Sequence, residues 1–134
     1  MSDDPVRKGS SEGRHALQCG RAVTTPSFDV LFDLLSEKRR RYALYALTSA
    51  EDGLADVETL ADKVAMMEAQ ADDAKLTEAF HADVADSLRE THLPRIAAAD
   101  IVDYDERSGT VRYWRQPTLE EYLEHTHYKE LSDV

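Results

Sequence analysis

Residues 76–115 read LTEAFHADVADSLRETHLPRIAAADIVDYDERSGTVRYWR, and the fold turns on this stretch. Leu76, Phe80, Val84 and Leu88 recur every four positions, and Leu93 and Ile96 continue the same side. This spacing predicts an amphipathic helix running to about Ala99, with a drift that one long or slightly bent helix absorbs. Pro94 removes a helical hydrogen bond and should kink or restart the helix near His92. Two short strands follow, over 101–104 and 110–114. Between them lies Asp105-Glu106-Arg107-Ser108-Gly109, whose Ser-Gly supplies the positive φ of a hairpin.

Upstream, Ser27 is an N-cap candidate for a short helix over 28–35. Ser36 offers a second cap for a helix over 37–49, and the sequence leaves open whether the two form one bent helix. Lys38-Arg39-Arg40-Arg41 is the one dense basic run. It reads either as a solvated helix surface with Arg39 or Arg40 paired to a nearby acid, or as a patch that contacts phosphates. Glu51-Asp52-Gly53 is a turn, and Leu54-Ala55 suits a very short strand that pairs with the hairpin. Asp56 caps a helix over 57–69, with Leu60, Val64 and Met67 on its apolar side and Ala61 allowing close packing. A polar connector over 70–74 follows, where Asp72 or Asp73 can cap the next helix. Beyond the hairpin, residues 117–125 read as a helix with a capping box of Thr118 and Glu121. Leu119, Tyr122 and Leu123, with Leu131 further on, give it an apolar side that must cover its own core or another chain's.

A chain of 134 residues supports one domain with a modest core, and 42% hydrophobic content argues against global disorder. No apolar run approaches the ~20 residues that span a bilayer, and the N-terminus lacks the apolar core of a signal peptide. The expected location is cytoplasmic, with no membrane partner. Cys19 is the sole cysteine and has no internal disulfide partner. The formal net charge is −11. Residues 1–26 sum to +1, which leaves −12 for the remainder. Arginine outnumbers lysine, 11 to 5, and the acids are 15 Asp and 12 Glu. Acidic, lysine-poor surfaces of this kind resemble those of proteins from salt-loving organisms, where a Debye length of about 3 Å weakens self-repulsion. An ordinary acidic cytosolic protein has the same composition. The expected organisation is a flexible tail over 1–26 (alternatively a weak basic arm on a polyanion), a folded body over 27–116, and a C-terminal helix and tail over 117–134.

A helix feeding directly into a hairpin is the sequence form of a recognition helix and wing. The expected fold class is therefore mainly α with a small β-hairpin wing, a winged helix-turn-helix, with Glu58-Thr59-Leu60-Ala61 in its first helix. Residues 28–44, FDVLFDLLSEKRRRYAL, resemble the opening of a haloarchaeal winged-helix family of uncharacterised function. His92-Leu93-Pro94-Arg95-Ile96 and the following Asp100-Ile101-Val102-Asp103-Tyr104-Asp105 resemble the same family. The resemblance covers about residues 27–115 and implies a winged helix-turn-helix of the transcriptional-regulator kind. It departs at Ala99-Asp100, where the family turn would be alanine-glycine, so a left-handed position falls on Asp100. The family brings no catalytic residues and no ligand.

Such a domain would place Lys75, Thr77, His81 and Arg89 near the groove of double-stranded DNA. Arg107, Arg112 and Arg115 would hold phosphates, with Arg39, Arg40 and Arg41 as a second contact. The outward helix face opposes this: Glu78, Ala82, Asp86, Arg89 and Glu90, with Asp83 nearby, would repel phosphate. The rival reading is a protein-interaction or dimerisation module without direct DNA binding. A homodimer is expected, with Phe28, Leu31, Phe32, Leu119, Tyr122 and Leu123 as its interface. His81, His92, His125 and His127 lack cysteine partners and convergent spacing, so no metal is expected. Phosphate-loop, dinucleotide and nucleophile-elbow patterns are missing, so neither a cofactor nor an enzyme is expected. Tyr113 and Trp114 point to opposite faces of the wing strand: one should seal the core, leaving the other for a partner.

Overall fold

The computed structural model describes residues 26–131; the tail, its basic arm and Cys19 lie outside the described residues. Helix α1 spans Phe28–Leu35, and Ser27 caps it by accepting from the Val30 N–H at 3.2 Å. Ser36 ends α1 rather than starting α2, which spans Lys38–Thr48 as a separate helix. A 3-10 turn over Glu51–Gly53 leads into strand β1, Leu54–Asp56. Asp56 then caps α3, Val57–Ala71, through the Thr59 N–H at 2.8 Å. Helix α4 covers Glu78–Ser87, followed by a π-turn over Leu88–His92 and by α5, Leu93–Ala98. Strands β2, Val102–Asp105, and β3, Thr110–Tyr113, form the hairpin, and α6 runs over Pro117–Leu131.

The three strands form one antiparallel sheet in the order β1-β3-β2. Arg112 at the centre faces Leu54 on one side and Asp103 on the other. The fold is thus mainly helical with a small β wing, in the helix–strand–helix–helix–hairpin order of a winged helix-turn-helix. The short strand expected at Leu54-Ala55 forms and pairs with the hairpin.

The core gathers around α2. Tyr42, Ala43, Leu44, Tyr45, Ala46 and Leu47 are consecutive and all buried, so this stretch of the helix is enclosed on every side. Around it pack Leu31 and Leu34 of α1, Leu60 and Val64 of α3, Val84 of α4, Leu88 of the π-turn, and Leu119 and Leu123 of α6. This corrects three of the residues expected at a dimer interface. Leu31, Leu119 and Leu123 are closed inside their own chain and are unavailable to a second one. Both helices turn their leucine stripe inward, and an amphipathic pattern does not say whose core it will meet.

The segment from α4 to α5 also differs from expectation at its start. Thr77, rather than Asp72 or Asp73, caps α4 by accepting from the Phe80 N–H at 3.0 Å. Asp72 instead pairs with Lys38, and Asp73 takes a left-handed turn at φ 52°. Leu76 therefore lies ahead of the helix, half exposed, while Val84 and Leu88 do face inward. At the other end, the Leu93 N–H reaches back to the Leu88 carbonyl, the five-residue spacing of a π-turn. The helix restarts there with Pro94 in its first turn, where a missing donor costs little. Asp100 holds the left-handed position at φ 63°. Helix α6 begins at Pro117, which puts Thr118 inside the helix rather than at the N-cap.

Two positions set testable limits. Gly53 has φ +69°, and a Cβ there would lie 2.7 Å from the Tyr113 carbonyl oxygen. Gly53→Ala should destabilise the fold by about 2 kcal/mol or more, read by denaturant unfolding, because it combines a left-handed penalty with a backbone clash. Arg39 grips the buried Glu68 carboxylate through Nε at 2.7 Å and Nη2 at 2.8 Å. Arg39→Met should cost roughly 3 kcal/mol by leaving that carboxylate unpaired. The double variant Arg39→Met/Glu68→Met should recover most of the loss in the same unfolding measurement.

Candidate nucleic-acid interface

The basic run that opens α2 is built into the structure. Arg39 bridges α2 to α3 and α4, adding Asp83 at 3.2 Å to its fork on Glu68. These bonds raise its pKa, the Glu68 contact most of all. Arg41 binds Glu130 of α6 through Nε at 3.0 Å and also caps the Leu35 carbonyl of α1. Burial works against the Glu130 carboxylate, yet its bonds from Arg41 and Tyr45 hold it below the usual range. Arg40 is 2% exposed. It donates to the Asp33 carbonyl at 2.6 Å, the Leu34 carbonyl at 3.1 Å and the Ser36 hydroxyl at 3.4 Å, and its Nη1 lies 3.3 Å from His92 Nδ1. Two carbonyls of the last turn of α1, of which that of Asp33 also accepts from Ser36, are thus held by a cation, which suits the helix dipole. Arg39, Arg40 and Arg41 are therefore not presented for a second phosphate contact. The expected pairing of Arg39 with an acid is present.

The residues expected at the groove are distributed unevenly. Lys75 is exposed in the extended approach to α4. The Thr77 hydroxyl is engaged as the α4 cap. His81 is half-buried, with Nε2 2.6 Å from Asp62 Oδ1. Arg89 is held between Glu58, at 2.5 Å, and Asp86, at 3.6 Å. Around them Glu78, Asp83, Asp86 and Glu90 are exposed. The acidic outward face inferred from the sequence is present.

The wing carries its cations outward. Arg107 is exposed at the turn, which is shaped by Asp105 accepting from the Arg107 N–H at 3.1 Å and by Gly109 at φ +77°. Gly109 also accepts from the Val57 N–H at 2.9 Å, which fixes the hairpin to the start of α3. Arg112 stacks 4.7 Å over the Trp114 ring, whose Nε1 donates to Asp103 at 2.7 Å. Arg115, at 80% side-chain exposure, lies 3.5 Å from Glu120. On the opposite face Tyr113 seals the core, its hydroxyl donating to Glu120 at 2.7 Å, and burial raises its pKa. Beside the wing, α2 and α6 enclose a groove of about 600 Å³ whose lining includes Tyr45, Arg115, Glu121, Glu124 and His127.

The remaining interface residues form an aromatic face. Phe28 and Phe32 stack at 6.0 Å, and Tyr122 meets both edge-on at 6.4 Å and 5.6 Å. Phe28 and Phe32 are 59% and 50% exposed. Sequence reasoning missed the Arg40–His92 contact and the Arg41–Glu130 pair, which join positions 52 and 89 apart. Local signals carry no trace of either. Among the described residues no cluster of His, Cys, Asp and Glu is arranged to hold a metal ion, and no helix is long and apolar enough to cross a membrane.

No curated protein and no solved structure matches the chain. Residues 32–112 match a family described as a domain of unknown function, DUF7344. That match extends from α1 through the wing, more than half of the chain, and the chain belongs to this family.

Proposed function

We propose that the protein is a non-enzymatic DNA-binding transcriptional regulator of haloarchaeal type, acting in the cytoplasm as a homodimer. The observation that carries this reading is the outward display of Arg107, Arg112 and Arg115 along the wing, next to the α3–α4 pair. In this reading the wing arginines hold phosphates. Lys75, at the foot of α4, is the groove residue left accessible. Arg89 and His81 would first have to leave Glu58 and Asp62. The acidic α4 face makes weak, wing-centred contact the expected mode, and counterion release makes it salt-dependent. The resemblance to haloarchaeal winged-helix proteins and the −11 charge support a working environment of high salt, where repulsion from α4 is screened.

A second reading is a protein-interaction module, favoured by the exposed Phe28–Phe32–Tyr122 face and by the same acidity of α4. The two readings make different demands. Arg107→Ala with Arg112→Ala should weaken binding to promoter fragments and reduce the salt slope by about 2, read by fluorescence anisotropy across a salt series. Unchanged affinity and slope would remove the wing from the interface. Phe32→Ala with Tyr122→Ala should convert a dimer to monomer in sedimentation equilibrium, while Leu54→Ala, on the exposed sheet face, should not. An unaltered mass would exclude the aromatic face as the contact.

A further inference from the structure

The described molecule holds a buried cation beside a buried titratable ring. Arg40 and His92 are 2% and 7% exposed. A guanidinium carries donors alone, so the 3.3 Å contact requires a lone pair on His92 Nδ1 and places the ring proton on Nε2. Among the described residues no carboxylate lies within ion-pair distance of Arg40; its acceptors are two carbonyls, a hydroxyl and this ring. A second proton on His92 would set donor against donor and cation against cation in the core.

We propose that His92 is a proton-operated latch: when neutral it holds the π-turn of the recognition segment against α2, and when protonated it releases residues 88–98. This inference stands without the DNA-binding reading. The segment that yields follows from the bonding. Arg40 keeps three further acceptors on α1 and its C-terminus and sits at the head of the most enclosed helix. His92 sits in the π-turn, whose bonding already departs from the α-helical pattern. After release the polar ties of this segment are Arg95 on Asp33 and Arg89 on Glu58, exposed pairs that salt screens, and Leu88, Leu93 and Ile96 are its apolar anchors.

The charged groups facing His92 set the direction. Burial disfavours the imidazolium first, Arg40 and Arg39 from α2 add to that, and Glu37 at the start of α2 and Glu68 of α3 oppose it. Glu68 is already gripped by Arg39, and Asp33, which faces Arg40 from α1, is held by Arg95. The folded pKa of His92 is therefore lowered. Between that value and the ordinary histidine value of about 6.5, the released chain binds more protons than the latched one. The latch is thus fully closed above that ordinary value and opens as pH falls.

Hydrogen exchange of the full chain, read by mass spectrometry at about pH 7.5 and about pH 5.0 and corrected for intrinsic rates, tests this. Amides over 88–98 should open at least tenfold more often at the acid condition, while those of α3 stay level. His92→Asn places a neutral acceptor near the same point at every pH and should flatten the response. Opening over 88–98 that tracks α3 at both conditions would overturn the latch, as would an equal acid response in the variant. Should the variant fail to fold, NMR titration of the wild-type His92 ring decides. A midpoint below the ordinary histidine value that coincides with the rise in exchange supports the latch. A midpoint at the ordinary value, or exchange that stays flat through the midpoint, overturns it.

Discussion

A guanidinium closed inside the protein with backbone carbonyls as its chief partners is the constraint the helical body depends on. Arg40 cannot lose its charge at any ordinary pH, so its surroundings must satisfy it. They do so where α1 ends: the Leu34 carbonyl, and the Asp33 carbonyl that also takes the Ser36 N–H, become its acceptors. The same side chain meets His92 in the π-turn, and Arg41 next to it fastens α6 through Glu130. A short helix, the π-turn and the terminal helix are thereby referred to one turn of α2. The apolar half of α2 then supplies the surface on which all three pack. Polar specification comes from the first turn of the helix and burial from the rest, so α2 acts as axle and hub together.

What could be read from the sequence was local. Ser27 and Asp56 announced their helices because a capping side chain bonds an N–H three residues on. The strand at Leu54-Ala55 and the restart at Pro94 were legible from equally local signals, whereas the left-handed Asp100 followed from the family resemblance. Where several local candidates competed, the choice was not legible: Asp72, Asp73 and Thr77 are all competent caps. Asp72 was drawn away by Lys38, a partner 34 positions distant. The site suffered most from such distant partners. Arg39, Arg40 and Arg41 look alike in a sequence, yet one bridges three helices, one is entombed and one ties down the C-terminal helix. The leucines of α1 and α6 carried a related ambiguity, since a stripe of apolar residues predicts burial without naming what buries it.

The wing raises a different point about electrostatics. Its arginines are exposed although acids are nearby, since Glu120 is divided between Tyr113 and Arg115, and Arg112 rests on an aromatic ring. Arg89 of the π-turn and His81 of α4 instead lie against Glu58 and Asp62 of α3. The charge pattern is therefore asymmetric across the domain, anionic over the helix pair and cationic along the central strand and its two ends. Any polyanion that meets the protein would be oriented by that asymmetry before it made a specific contact.

The sheet itself bears on how the molecule can associate. Its central strand is β3, so both outer strands offer unpaired backbone groups along one side. β1 is three residues long, and β2 is four residues long with Asp103 and Asp105 on its exposed face. Strands this short and acidic are poor templates for another strand, because each added pair would bring carboxylates together for little backbone bonding. Growth by strand addition, the usual route from a small sheet to a fibre, is discouraged at both edges. Copies of this protein that do come together are steered toward contact through their helices, where pairing is finite and self-limiting.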